Sequence, residues 1–121
     1  MVIGIGTDII EIERIERAIN NKNFLRKLFT ENEIEMFNKR NMRSEVIAGN
    51  FAAKEAISKA LGTGVRGFSL IDIEVLRDDF GKPIVYLNST IDDIINKKYK
   101  INVSISHNRT SAIAFAILEE V

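Results

Sequence analysis

Two charged side chains fall on the otherwise apolar face of a predicted helix. A helical projection of residues 47–60 places Glu55 and Lys59 in the sector that alanines occupy. A lone charge facing a core is costly unless it is paired, hydrogen-bonded or bound to a metal. Asp8 follows a short β-branched run with two glycines, which predicts a strand ending at this carboxylate. If the helix packs over that strand end, Asp8 and Glu55 suit Mg²⁺ and a phosphate ester, and Lys59 suits the phosphate charge.

A plainer interpretation of the same residues stays open at this point. Asp8 is also suited to cap a helix, and a surface Glu55–Lys59 pair at i,i+4 contributes only about 0.3 to 0.5 kcal/mol. His107 is the only histidine, and a lone histidine in a predicted turn is more often structural than catalytic. The segment 62–64, Gly-Thr-Gly, either cradles a phosphate or simply ends the helix.

Composition narrows the class of protein. The 121 residues fit one domain, residues 1–121, and the 17 basic and 17 acidic side chains give no net charge. This balance argues against a nucleic-acid or membrane-surface binder that relies on bulk charge. The absence of cysteine excludes disulfides, thiolate metal sites and a cysteine nucleophile. With no apolar run of membrane-spanning length and no secretory leader pattern, we expect a cytoplasmic protein.

A locally basic stretch stands out in this neutral chain. It predicts either a docking surface for an acidic partner or a solvated helix face. Its members are Arg14, Lys22, Arg26 and Lys27.

Periodicity predicts helices in the first half of the chain and hairpins in the second, which is typical of an α+β domain with helices packed on an antiparallel sheet. The last strand is apolar at nearly every position of 112–117, so we expect protein on both of its faces, partly from another subunit. The predicted strands are 2–7, 72–76, 84–87, 102–106 and 111–118. The predicted helices are one with Ile9, Ile12, Ile15, Ala18 and Ile19 on its apolar face, then 24–28, 30–39 with a capping box from Thr30, 43–61, and 91–99 capped by Ser89 or Thr90.

Four segments carry a specific pattern over nearly the whole chain. They are Gly4-Ile5-Gly6-Thr7-Asp8-Ile9 with Glu11 and Arg14, Phe51-Ala52-Ala53-Lys54-Glu55-Ala56-Ile57-Ser58-Lys59-Ala60-Leu61-Gly62-Thr63-Gly64, Gly81-Lys82-Pro83, and Ser104-Ile105-Ser106-His107. In this order and at this spacing they closely resemble the small bacterial 4'-phosphopantetheinyl transferases, the holo-[acyl-carrier-protein] synthase family. The phenylalanine-to-lysine block is the most specific of the four.

The resemblance implies a Mg²⁺-dependent transfer of 4'-phosphopantetheine from coenzyme A to a serine of apo-acyl carrier protein, in fatty acid biosynthesis. It leaves adenosine 3',5'-bisphosphate. It implies Asp8 and Glu55 as metal ligands, Glu55 as the base, directly or through water, and Lys59 as the residue that stabilises the phosphate or leaving group. It also implies a homotrimer with sites at subunit interfaces. The implied coenzyme A residues are Lys59, Gly64, Lys82, Pro83, His107 and Arg43, and the implied carrier-protein docking residues are Arg14 and Arg26.

The chain departs from the family pattern at Asn50, where many members have arginine. If this position faces a coenzyme A phosphate, Asn50→Arg is expected to tighten coenzyme A binding. The helical projection places Asn50 on a polar stripe with Arg43 and Lys54, away from Glu55. Two other function classes stay open: a non-catalytic coenzyme A or nucleotide-binding module, and a magnesium-dependent phosphoester hydrolase that uses the same carboxylates.

Overall fold

A long central helix lies across a three-stranded antiparallel sheet in the computed structural model, which describes residues 1–62 and 67–121. The sheet has the order β1-β5-β4, formed by β1 (Val2–Glu11), β5 (Ser111–Glu120) and β4 (Tyr99–His107). The central helix is α4 (Ser44–Leu61). The other helices are α1 (Ile12–Ala18), α2 (Lys22–Leu28), α3 (Glu31–Lys39) and α5 (Ser89–Ile95). A 3-10 turn at Leu70–Asp72 leads into a separate hairpin of β2 (Ile73–Arg77) and β3 (Pro83–Leu87).

The α+β class is confirmed, and so are several local signals. Thr30 and Glu33 form the predicted capping box at the start of α3. Gly62 ends α4 with a φ of 77°, the left-handed conformation that glycine adopts without steric cost. The hairpin lies where it was predicted, with Val75 paired to Val85. None of the described helices is long and apolar enough to cross a membrane.

The predicted boundary between the first strand and the first helix was wrong. Residues 8–11 continue β1, and α1 begins only at Ile12. Ile9 is exposed while Ile10 is buried, which is the alternation of a strand, and Ile9 pairs with Ile113 of β5. Backbone pairing with β5 therefore overrides the helical spacing of the isoleucines, and Asp8 lies inside a strand instead of at its end.

The predicted helix at 91–99 was also placed too late. Asn88, not Ser89 or Thr90, is the capping residue, and its side chain accepts a hydrogen bond from the backbone N–H of Ile91 at 3.4 Å. Asn96 takes a left-handed conformation with a φ of 51° and ends α5. Tyr99 consequently begins β4.

The two faces of β5 have different surroundings. The inward face carries the buried side chains of Ala112, Ala114, Ala116 and Leu118, against which α4 packs. On the outward face, Ile113 is 46% exposed and Phe115 is 38% exposed. The neighbouring β1 adds Ile5 at 62% and Ile9 at 66%. The prediction that protein covers both faces of this strand is thus met on the inner face by the chain itself.

Candidate active site

The structure brings Asp8, Glu55 and Lys59 together where β1 passes under α4. The ammonium of Lys59 donates to the backbone carbonyl of Thr7 at 2.8 Å and lies 3.4 Å from Asp8 Oδ1. Glu55 lies one helical turn before Lys59 and is half-buried. Lys59 itself is largely exposed, which corrects the expectation that it faces the core. The three side chains form a charged cluster at the surface end of the strand–helix contact.

The pKa of Glu55 reflects this crowding. Burial of the carboxyl raises it above its ordinary value, the negative charge of Asp8 raises it further, and the positive charge of Lys59 opposes both. The cluster holds two carboxylates, which repel each other, and only one ammonium group. It therefore keeps an excess of negative charge. Such a site favours a cation.

The donor set fits magnesium. Mg²⁺ is usually held by one or two protein carboxylates and completes its octahedron with water and substrate phosphates. Across residues 1–62 and 67–121, no three His, Cys, Asp or Glu side chains converge as a metal cluster. The pair Asp8 and Glu55 supplies the two hard oxygen ligands that such a sparse site requires.

Two glycines set how closely β1 and α4 approach. A Cβ added at Gly4 would lie 1.9 Å from the carbonyl oxygen of Ala60, and one added at Gly6 would lie 1.9 Å from that of Ala56. Because side chains alternate along a strand, Gly4, Gly6 and Asp8 share the face of β1 turned toward α4. The helix backbone therefore rests directly on the strand, next to Asp8.

On its other side, α4 is held by a buried polar network that the sequence did not reveal. Lys54 and Glu33 are both 0% exposed, and Lys54 Nζ lies 2.5 Å from Glu33 Oε1. The ammonium also donates to the carbonyls of Leu28, Leu70 and Ile73 at 2.7, 3.1 and 2.7 Å. Burial raises the pKa of Glu33 and lowers the pKa of Lys54, and in each case the charge of the partner opposes the shift. The only sequence signal was the position of Glu33 in the capping box.

Asn50 corrects another expectation. It is 0% exposed, so it does not lie on a polar stripe and does not face a solvent-borne phosphate. Its Nδ2 donates to the carbonyl of Val75 at 2.8 Å and to Glu33 Oε2 at 3.1 Å. Its Oδ1 has no hydrogen-bond partner within the described part of the chain. Since α3 and β2 cover this side of α4, Asn50 belongs to the same buried network as Lys54.

The other predicted site residues fall into separate groups. Arg43 donates through Nε to Glu45 Oε1 at 2.6 Å. A backbone hydrogen bond and then Arg43 lower the pKa of the Glu45 carboxyl, and the nearby His107 adds a smaller effect. This group sits at the start of α4, ten residues or about 15 Å along the helix from Glu55. Lys82 lies on the hairpin turn and Pro83 begins β3, and Arg14 and Arg26 are exposed on α1 and α2. Gly64 lies outside the described residues.

The chain matches a protein-family model over most of its length. Residues 4–117 match the model of the 4'-phosphopantetheinyl transferase superfamily. The chain belongs to this superfamily. The resemblance drawn from the sequence motifs is thereby confirmed, and so is the prediction of an enzyme of the transferase class.

Similar proteins cover the whole fold. A holo-[acyl-carrier-protein] synthase of Clostridium perfringens is 63% identical over 126 residues, which span 98% of this chain and 95% of the relative. Among solved structures, a Bacillus anthracis holo-(acyl-carrier-protein) synthase in complex with CoA (3',5'-ADP) superposes with a TM-score of 0.83 at 40% identity, covering 100% of this chain and 99% of the other. The Helicobacter pylori enzyme in complex with coenzyme A gives 0.85 at 34%, covering 95% and 99%. Relatives with this fold have thus been solved in complex with coenzyme A.

Proposed function

We propose that the protein is a holo-[acyl-carrier-protein] synthase built as a single domain of residues 1–121. It transfers 4'-phosphopantetheine from coenzyme A to a serine of apo-acyl carrier protein, depends on Mg²⁺, and serves fatty acid biosynthesis. The observation that carries this proposal is the convergence of Asp8, Glu55 and Lys59 in a member of the 4'-phosphopantetheinyl transferase superfamily.

The reaction joins the serine oxygen of the carrier to the phosphorus that bears the pantetheine. The bond from that phosphorus to adenosine 3',5'-bisphosphate breaks, and the serine proton moves to a base at the site. Glu55 suits this role directly or through a water, because its carboxyl lies in the same cluster as Asp8 and Lys59, where the phosphate is expected to react. Asp8 and a metal-bound water are the alternative bases.

Asp8 and Glu55 would hold the Mg²⁺, which when bound would supply positive charge against the phosphates of coenzyme A. Lys59 is anchored by the carbonyl of Thr7, so its ammonium stays beside the two carboxylates. From there it stabilises negative charge on the phosphate or the leaving group. Coenzyme A contacts are assigned to Lys59, Gly64, Lys82, Pro83, His107 and Arg43, and carrier-protein docking to Arg14 and Arg26.

A homotrimer forms part of the proposal. The support is the apolar outward face of β1 and β5, where Ile5, Ile9, Ile113 and Phe115 are 38 to 66% exposed. A second support is the spread of the assigned residues. Arg43 and His107, at the end of β4, lie near the start of α4, more than ten residues along the helix from Glu55, and so are available to a neighbouring subunit's site. Sedimentation at micromolar concentration tests this, and a fully active monomer would contradict it.

A mass measurement tests the reaction itself. The protein is incubated with coenzyme A, Mg²⁺ and apo-carrier protein, and the carrier is weighed. A carrier that gains one phosphopantetheine supports the proposal. Coenzyme A cleaved with no gain in carrier mass indicates a hydrolase, and coenzyme A bound but intact indicates a binding module. Asp8→Asn and Glu55→Gln, near-isosteric changes that remove the charges, are expected to abolish transfer, as is a chelator until Mg²⁺ is restored.

A further inference from the structure

The buried network on the far side of α4 has a cost that needs explaining. Desolvating two charges is expensive, and a well-packed apolar pair of similar volume often makes a protein equally stable or more stable than a buried ion pair does. Stability alone therefore gives no reason to keep Lys54 and Glu33 at 0% exposure. An apolar pair would not fix the orientation of the two side chains, because hydrogen bonds depend on angle and distance and dispersion contacts are not directional.

The network fixes α4 against four other elements. Four oxygens lie 2.5 to 3.1 Å from the ammonium of Lys54, which has three protons to share among them. They come from α2, α3, the 3-10 turn and the start of β2, and the ring of Phe29 lies 4.9 Å from the ammonium. Glu33 is equally saturated, because Oε1 also accepts from Thr30 N at 2.9 Å and Oε2 accepts from Asn50 Nδ2 and Val75 N at 3.1 Å each.

Lys54 and Glu55 are adjacent in the chain, so any motion of α4 that releases one displaces the other. A rotation of about 20° moves a Cα by about 0.8 Å at the helix radius of about 2.3 Å, and moves a carboxylate further out by more. On the opposite side, the glycine contacts with β1 leave no space into which the helix could shift. The network on one side and the glycine contacts on the other together fix the rotation of α4 about its axis and its distance from β1.

We infer that Lys54 and Glu33 are positioning residues for the proposed transfer. Without touching any reacting group, they fix the rotation of α4 and its distance from β1, and so they place Glu55 beside Asp8. This inference rests on the proposed function, because it assigns the pair a role at the site that this function uses. Asn50 supports the same geometry through its bonds to Glu33 and Val75.

The test uses the double variant Glu33→Gln/Lys54→Met, which removes both charges and leaves neither unpaired. Ile57→Val is the matched control, since Ile57 is buried on the same helix outside the network and its truncation costs about 0.5 to 1.5 kcal/mol. Three measurements are made on each folded protein: the distance between the Asp8 and Glu55 carboxyls in a crystal structure, the affinity for Mn²⁺ from the paramagnetic resonance of the free ion, and kcat.

In the double variant we expect an altered carboxyl distance, weaker Mn²⁺ binding, and a kcat lower by on the order of 10²-fold, the usual cost of a displacement of about 1 Å at a reacting centre. The control is expected to match the wild type in all three. An unchanged distance, or a changed distance with wild-type Mn²⁺ affinity and kcat, would overturn the inference. If the wild type neither binds Mn²⁺ nor transfers, the proposed function fails, and the carboxyl distance alone then decides the positioning role. Should the double variant not fold, Asn50→Ala, which removes two hydrogen bonds of the network and leaves no charge unpaired, is subjected to the same three measurements.

Discussion

Adding one methyl group at Gly6 is expected to damage the site from a position that touches no substrate. The new Cβ of Gly6→Ala would lie 1.9 Å from the carbonyl oxygen of Ala56 and 2.8 Å from the amide nitrogen of Ala60. Both atoms are helix backbone, which cannot rotate aside as a side chain can. Ordinary contact begins near 3.4 Å, so α4 must retreat from β1 by about 1.5 Å, the difference between 1.9 and 3.4 Å.

That retreat carries Glu55, the neighbour of Ala56, away from Asp8. Overpacking of this kind costs about 1 to 3 kcal/mol of stability, and a displacement of about 1 Å at a reacting centre costs about 10²-fold in rate. We therefore expect a folded Gly6→Ala protein whose free energy of unfolding falls by about 1 to 3 kcal/mol and whose kcat falls by about 10²-fold. Denaturant unfolding measures the first quantity, and the rate of mass gain of the carrier protein measures the second.

The matched control is Gly49→Ala, on the same helix. Its added Cβ would meet the Cγ2 of Ile105 at 2.9 Å, a side-chain methyl that can shift. We expect a stability loss there with nearly normal kcat. A Gly6→Ala protein that retained wild-type kcat would refute the reasoning, because it would show that the strand–helix spacing does not set the geometry of the site.

Three further substitutions test individual residues. Lys59→Ala is expected to lower kcat more than coenzyme A affinity, since its charge acts mainly as the phosphate bond breaks, and a loss confined to affinity would reassign it to binding. Arg14→Glu is expected to raise KM for the carrier protein, more at low salt than at high salt, with KM for coenzyme A unchanged; an effect on coenzyme A alone would remove Arg14 from the docking surface. Asn50→Ala is expected to cost about 1 to 3 kcal/mol of stability by breaking two buried hydrogen bonds, and calorimetric titration should show unchanged coenzyme A affinity, which a phosphate contact would not allow.

The sequence predicted which charged side chains meet better than it predicted what surrounds them. Two charges on one helical face, a carboxylate after the first apolar run and the family motifs pointed to Asp8, Glu55 and Lys59, and the structure brings these side chains together. Their catalytic and metal-binding roles stay predictions. The same helical projection failed for Asn50 and Lys54. A projection describes one helix in isolation, and it cannot show that other elements bury a polar stripe such as the one that holds Asn50 and Lys54.

The elements that cover Asn50 and Lys54 are distant from them in the sequence. Glu33 lies 21 residues before Lys54, and the carbonyl of Ile73 lies 19 residues after it. No local pattern marks such a partnership, since Glu33 fits its capping box without it. The boundary at Ile9 failed for a related reason, because isoleucines at 9, 12 and 15 suit a helix until β5 supplies a strand to pair with.

The pairing of β1 with β5 has a consequence for how the protein is made. Gly6 lies opposite Ala116, so this contact closes a loop of 110 residues, and within residues 1–62 and 67–121 β5 is the only strand that pairs with β1. Closing such a loop costs about 2 kcal/mol more entropy than closing a ten-residue one, and contacts this distant slow folding. A ribosome that has completed α5 has already made Asp8 and Glu55, but not the strand that holds Asp8 in place. Until β5 emerges, the nascent chain exposes an apolar strand edge, and chaperones that mask such edges are expected to determine its yield.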